Sequence, residues 1–358
     1  MEDIPKEMVC LQKTTASKGY QCMKIQTPFP VNDEVLIKIK KVAICGSDIN
    51  LYMWNETAKV IAALPFIPGH EATGIVVRKG PDVKNLKVGD RIAVENHFFC
   101  GKCFQCKEDR GDICASLNQY GHGKGTIHGG CCEYSVVSEK YCYRLQYGIS
   151  DVAAVLLEPM GVAHNAIERL EVDGEAVLVI GCGPVGLFAV SCAKALGATK
   201  VFAVDVLEER LDLARKMGAN ETFNSKEGGS QKVKEEIMKI TSGVGIGRIC
   251  EASGAASMLN GCFSYLRKGG RITLVGLPKK PLHVENVLQD ILFKSLNLNT
   301  VHGRRIFHTW EECEKLIADG KVDPLPVVSH QLPISKFEEA FKALLSGNAC
   351  KIIMDPQL

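Results

Sequence analysis

The stretch AVLVIGCGPVGLFAVSCA, residues 176–193, decides the fold. It carries no charge, and its length sits at the threshold of a membrane-spanning helix. Yet GCGPVG, residues 181–186, packs three glycines and a proline into its centre, where a spanning helix would lose backbone hydrogen bonds. The stretch therefore reads as a buried strand, a tight turn and a buried helix.

Working outward, the same rhythm repeats. KVFAVDV and the helix-like LEERLDLARKMGA follow, then GRICEAS and GGRITLVG. Strands alternating with helices of this length predict a doubly wound parallel α/β sheet. GCGPVG itself fits G-x-G-x-x-G, with Pro184 and Val185 between its last two glycines. Gly181 is expected to allow the tight turn, and Gly183 to let a pyrophosphate approach the backbone. Gly186 is expected to let the helix pack close to the sheet. Asp205 ends the next strand, where a carboxylate would accept hydrogen bonds from ribose hydroxyls and repel a 2′-phosphate, favouring NAD over NADP. Arg210 is a candidate for stacking near the adenine; the alternative is an exposed helix arginine. The bland reading of the whole motif is a β–α turn with no nucleotide.

The totals bound what else is expected. With 358 residues, 46% hydrophobic and 23% charged, the chain has room for two soluble domains, each with its own core. A net charge of +2 with scattered basic residues argues against a nucleic-acid surface. MEDIPKEMVC shows no basic region leading into an apolar one, so no signal peptide is read and a cytoplasmic location is expected. Most of the sixteen cysteines, such as Cys182, Cys192, Cys250 and Cys262, lie in apolar runs and read as core thiols.

Four cysteines do not. In HFFCGKCFQCKEDRGDIC, residues 97–114, Cys100, Cys103, Cys106 and Cys114 are gathered on one short loop. A reducing compartment disfavours disulfides, and a redox pair would leave two cysteines without a role. Four thiolates closing round Zn2+ leave no open position, so a structural zinc is expected.

Residues 30–95 hold short alternating runs such as EVLIKIKKVAI and GIVVRKG, which predict an irregular β-rich domain. After about residue 300 come helical TWEECEKLIADGK, then SHQLPISKFEEAFKALLSG and a short strand, CKIIM. Candidate ligands for a second, open zinc site are Cys45 in AICGSDIN, His70 and Glu71 in IPGHEATG, and Glu158 in LLEPMG. Spacing alone does not join them: a lone Cys is more often core, and a lone Glu more often solvated.

AICGSDINLYMW, IPGHEATGIV, VGDRIAVENHFFCGKCFQC, LEPMGVAHNAI, VLVIGCGPVGLFAV, VFAVDVLEERLDLARKMGA and VHGRRIFHTW occur in an order that resembles the zinc-dependent medium-chain dehydrogenases. The likeness is strongest to the threonine 3-dehydrogenase branch, with sorbitol (polyol) dehydrogenases as neighbours. The resemblance implies a GroES-like catalytic domain over 1–157, including the lobe at 97–114. A Rossmann NAD-binding domain would follow over 158–299, and a return over 300–358 would complete the catalytic domain. It implies two zinc ions per chain and NAD, a homodimer or homotetramer, and oxidation of a secondary alcohol, L-threonine first and a polyol or vicinal diol as alternative. It places the catalytic zinc on Cys45, His70 and an acid, Glu71 or Glu158. Asp48 would fix the His70 tautomer, Ser47 would take the substrate proton, and His97 and Arg304 would face substrate. One position departs from the pattern: Asn50 stands where relatives commonly carry a relay histidine. Water and the cofactor ribose, or His97, would then carry the proton, or the substrate would not be threonine.

Overall fold

The structure, a computed structural model, describes residues 3–278 and 280–358; Met1 and Glu2, which open the N-terminal stretch MEDIPKEMVC, and Lys279 lie outside the described residues. The chain folds as two compact units. One takes the residues up to Glu158 together with Arg305–Glu314 and Val328–Leu358; the other takes Pro159–Arg304 and Lys315–Val327.

In the second unit, six parallel strands lie in the order Glu221–Asn224, Lys200–Asp205, Ala176–Ile180, Ile246–Glu251, Leu266–Leu274, Asn297–Thr300. The first strand in sequence, Ala176–Ile180, and the fourth, Ile246–Glu251, are neighbours at the centre, where the winding reverses. The glycine turn leaves the carboxyl end of Ala176–Ile180 at this switch point. Central strands of such a sheet are covered on both faces, which is why AVLVI is a continuous apolar run rather than an alternating one. Leu178, Ile180, Phe202, Val204, Ile249 and Ile272 form the buried centre. Helix Pro184–Ala195 starts at Gly183, with Pro184 in the first turn, where its missing N–H leaves no bond unmade. Among the described residues no helix is long and apolar enough to cross a membrane, so the 176–193 run is divided between strand and helix.

The first unit is built on a sheet running Val328–Pro333, Lys351–Asp355, Glu34–Ile44, Glu71–Lys79, Arg91–Val94, Cys142–Arg144, with Tyr134–Ser138 also paired to Glu34–Ile44. All its pairs are antiparallel except Val328–Pro333 with Lys351–Asp355. The CKIIM run supplies the strand that pairs Ile352 with Ile44 and Met354 with Val42. TWEECEKLIADGK gives helix His308–Ala318, and Phe337–Leu345 forms a second helix after it. Short helix Asp48–Met53 follows Glu34–Ile44 directly. Its end is tied by the buried Lys13, whose Nζ donates to the carbonyls of Tyr52 (3.1 Å) and Gly19 (2.9 Å).

Candidate metal centres and dinucleotide turn

Strand pairing assembles the residues that spacing could not join. Glu34–Ile44 and Glu71–Lys79 are antiparallel with Ala43 opposite Glu71. Cys45, just past the end of one strand, therefore meets His70 and Glu71 at the start of the other. One donor atom from each of Cys45, His70 and Glu71 lies within 4.8 Å of the others. Asp48 opens the next helix and turns back: its Oδ1 is 3.2 Å from His70 Nδ1, and its Oδ2 accepts the Cys45 N–H at 2.8 Å. Burial works against ionising Asp48, but His70 and the Cys45 N–H outweigh it and the carboxyl lies below its ordinary range. With Nδ1 engaged, His70 offers Nε2 to a metal.

Glu71 is fully buried and faces Lys351, itself 1% exposed. The Lys351 ammonium stands 2.6 Å from each Glu71 oxygen. Burial pushes the Glu71 carboxyl up and Lys351 pulls it down. Burial is the larger influence, and the Glu71 carboxyl stands raised to about 7. Glu158, also buried, accepts from Asn96 Nδ2 at 3.1 Å and is not in the close donor set.

His97 begins the short strand His97–Phe98, and both its backbone N–H and its Nδ1 meet the fully buried Glu95, at 2.8 and 2.9 Å. That contact fixes Nδ1 as the donor and Nε2 as the acceptor nitrogen. Ser47 is half-buried ahead of helix Asp48–Met53. Asn50 serves a structural purpose. Its Oδ1 accepts from Asn55 Nδ2 at 2.7 Å, and Asn55 caps helix Glu56–Ile61. Arg304 is fully buried in the second unit.

The lobe cysteines also converge within 4.8 Å. Sγ separations are 3.5 Å for Cys103–Cys106, 3.9 Å for Cys103–Cys114 and 4.0 Å for Cys100–Cys106. A disulfide would need about 2.05 Å. Four sulfurs at about 2.3 Å from a tetrahedral zinc stand about 3.8 Å apart, which these distances match. Backbone N–H groups of Ala115 and Cys106 draw the Cys103 thiol down to about 6, whereas burial pushes Cys106 up to about 12. Thiol and thiolate so mixed are the state that a divalent cation would convert to four thiolates.

In the second unit the three glycines divide their work. Gly181 has φ +92°, and a Cβ there would stand 2.8 Å from the Ser253 backbone. A Cβ on Gly186 would strike the Gly181 carbonyl oxygen, so this glycine closes the turn on itself as well as seating the helix. A Cβ on Gly183 would meet nothing within 4 Å, and the space it would fill lies at the amino end of helix Pro184–Ala195. Val185 lies in the first turn of that helix, and Arg210 half-buried in the first turn of Glu208–Lys216. Asp205 does more than end its strand: it accepts from Cys182 N (2.7 Å), Val206 N (2.7 Å) and Leu207 N (3.0 Å), locking the turn to the neighbouring strand.

Residues 31–147 match the alcohol dehydrogenase GroES-like domain, and residues 184–319 match the zinc-binding dehydrogenase domain. L-threonine 3-dehydrogenase of Coxiella burnetii (strain RSA 493 / Nine Mile phase I) is 36% identical over 353 residues, covering 97% of this chain and 99% of that protein. The family is therefore settled. The chain belongs to the zinc-binding alcohol dehydrogenases of the medium-chain type. L-threonine 3-dehydrogenase of Bacillus subtilis (strain 168) is 33% identical, covering 98% of this chain and 99% of its own. Among solved structures, 2R,3R-butanediol dehydrogenase from Bacillus subtilis aligns with TM-score 0.87 and 27% identity over 98% of this chain and 99% of that one. An Escherichia coli CFT073 alcohol dehydrogenase complexed with NADH aligns with TM-score 0.87 and 25% identity, over 98% and 100%. As a family member the chain is an oxidoreductase with a GroES-like part and a Rossmann part, using zinc and a nicotinamide dinucleotide. The donor sets and the open space at Gly183 fit both groups.

The glycines separate fold from cofactor. Gly186→Val should lower stability by about 1–3 kcal/mol in urea denaturation. Gly183→Ala should leave the urea midpoint unchanged and weaken NADH binding in a fluorescence titration. The weakening should be about tenfold for each 1.4 kcal/mol by which the added methyl group destabilises the bound phosphates. Unaltered NADH affinity in Gly183→Ala would contradict the pyrophosphate placement.

Proposed function

We propose that this chain oxidises a secondary alcohol to a ketone with NAD+ and a catalytic zinc, and that the alcohol is L-threonine. The observation that carries the reading is the convergence of Cys45, His70 and Glu71, with Asp48 holding His70. Full-length similarity to L-threonine 3-dehydrogenases supports the substrate. A vicinal diol or polyol is the second reading, favoured by Asn50 at the relay position and by the likeness to a butanediol dehydrogenase.

In this reading the unit that ends its first segment at Glu158 and takes Arg305–Glu314 and Val328–Leu358 is the catalytic part, and the unit of Pro159–Arg304 and Lys315–Val327 is the nucleotide part, so the expected return over 300–358 is shared between the two. Two zinc ions are held per chain, one by Cys100, Cys103, Cys106 and Cys114, the other by Cys45, His70 and a carboxylate. Glu71 is the carboxylate nearest to hand; Glu158 is the alternative that its Asn96 contact leaves in place. When bound, the catalytic zinc supplies Lewis-acid polarisation of the substrate hydroxyl and NAD+ supplies the hydride acceptor. Asp48 orients His70 and keeps its Nδ1 out of the metal's reach. Ser47 Oγ accepts the hydroxyl proton only as it passes its own proton onward, because a serine hydroxyl does not hold a second proton at neutral pH. Asn50 cannot carry it onward, since an amide does not titrate and its Oδ1 is held by Asn55. His97, fixed by Glu95 with Nε2 as acceptor, faces the substrate and serves the relay. Arg304 pairs with the carboxylate of an amino-acid substrate. Gly181, Gly183, Pro184, Val185 and Gly186 carry the pyrophosphate, Asp205 the ribose hydroxyls and Arg210 the adenine, so that NAD is preferred to NADP.

The reading includes a homodimer, itself able to pair into a tetramer. Strand Asn297–Thr300 is paired on one side only, and Leu292, Phe293 and Leu298 near it are 64%, 59% and 49% exposed. Two copies related by a two-fold axis would pair this edge with itself and cover those side chains. Sixteen thiols, none bonded to another, suit the reducing cytoplasm.

Two experiments test these statements. Purified protein should reduce NAD+ with L-threonine faster than with sorbitol, xylitol or butanediol, and chelation of zinc should abolish the rate. Turnover of a diol alone would replace the threonine reading, and full activity after removal of all zinc would end the mechanism. Light scattering behind size exclusion should give a dimer or tetramer, and Leu298→Asp should shift it towards monomer; a monomeric parent chain would refute the edge pairing.

A further inference from the structure

No sequence signal singles out His122, yet it stands against the metal centre. Its ring meets the His70 ring edge-on, with centroids 5.4 Å apart and planes at 78°. Donor atoms of His122, His70 and Asp48 lie within 4.8 Å of one another. The side chain is buried, 4% exposed, and neither ring nitrogen has a hydrogen-bond partner among the described residues. An imidazole carries at least one N–H whatever its protonation state, so a donor group lies buried beside the Asp48–His70 pair.

The backbone holds it there. Gly121 and Gly123 flank it with φ +79° and +77°, and the His122 carbonyl accepts the Ala63 N–H at 3.0 Å. At Gly121 the chain presses so closely on Gly69, the residue before His70, that a Cβ would come within 2.8 Å of the Gly69 carbonyl. A buried polar group left unpaired costs about 1–3 kcal/mol, and an apolar residue at 122 would avoid that cost. The trio does not read as a second metal position, because Asp48 already has one oxygen on His70 and the other on the Cys45 N–H.

We infer that His122 is a positioning residue of the catalytic metal centre: without a direct hydrogen bond, the dipole of its imidazole N–H, held within 4.8 Å of Asp48 and His70, supports that pair through space and so tightens the hold on the metal. The inference rests on the metal-centre reading above. It adds a second side chain, after Asp48, behind His70, of the kind whose loss typically weakens metal binding about 10- to 100-fold.

The test compares the full-length parent with His122→Phe, which keeps a ring but removes the nitrogens, and His122→Asn, which returns one N–H. Zinc affinity is measured by competition with a chromophoric chelator, with the four-cysteine lobe as internal reference, and stability by urea denaturation. Expected are weaker binding of the second zinc in His122→Phe by about 10- to 100-fold, an unchanged lobe zinc, a urea midpoint no lower than the parent's, and partial recovery in His122→Asn. Parental zinc affinity with lowered stability would make His122 a packing residue and overturn the inference. Parental zinc affinity with a raised KM would turn the ring towards substrate, overturning it equally. Both outcomes leave the metal centre standing, whereas a parent chain holding only the lobe zinc would overturn the inference and the centre together.

Discussion

Antiparallel pairing of Glu34–Ile44 with Glu71–Lys79 is the constraint on which the proposed metal centre of Cys45, His70 and Glu71 depends. With Ala43 opposite Glu71, the thiol two residues past one strand position and the imidazole one residue before the other occupy the same small volume. A slip of one residue would exchange the faces of a strand and part them. The register is held from both sides. Tyr134–Ser138 pairs with the first half of Glu34–Ile44 and Lys351–Asp355 with its last residues, and Val35, Leu36, Ile37, Ile39 and Val42 are buried between.

Such a centre is bought with stability. Glu71 and Lys351 place a carboxylate and an ammonium out of water, and a hydrophobic pair of similar volume is often as stable or more so. Removing either partner alone would leave an uncompensated buried charge, at a cost of about 3–5 kcal/mol. The pair makes sense as preparation for a cation: Lys351 counters part of the burial that raises the Glu71 carboxyl beside Cys45 and His70. Asp48 and His122 extend the same logic behind the imidazole. The lobe works the opposite way, with four thiols on a loop that has little apolar surface to bury.

What the sequence reveals follows from how local each signal is. The glycine turn is legible because strand, turn and helix are adjacent in the chain, and the lobe because four cysteines share one loop. The alternation of strands and helices also gives the second sheet. Cys45, His70 and Glu71 are not joined by any spacing rule, since their meeting depends on a long-range strand register; only the family resemblance links them. Lys351 lies 280 residues from Glu71, and a lysine in a short terminal strand announces nothing. His122 is hidden among glycines and His128. Asp205 reads in sequence as a ribose partner, whereas the structure adds three backbone bonds that make it part of the turn. Asn50 looks like a lost relay residue in sequence, and in the fold it is a support for Asn55.

If strand register makes one open metal site from Cys45 and His70, an ion bound there must touch both. Anomalous diffraction at the zinc edge, on crystals of the zinc-loaded protein, tests it most directly. Two peaks per chain are expected, one among the four lobe cysteines and one between Cys45 Sγ and His70 Nε2. A single peak in the lobe, or Cys45 and His70 facing apart with no density shared between them, would contradict it.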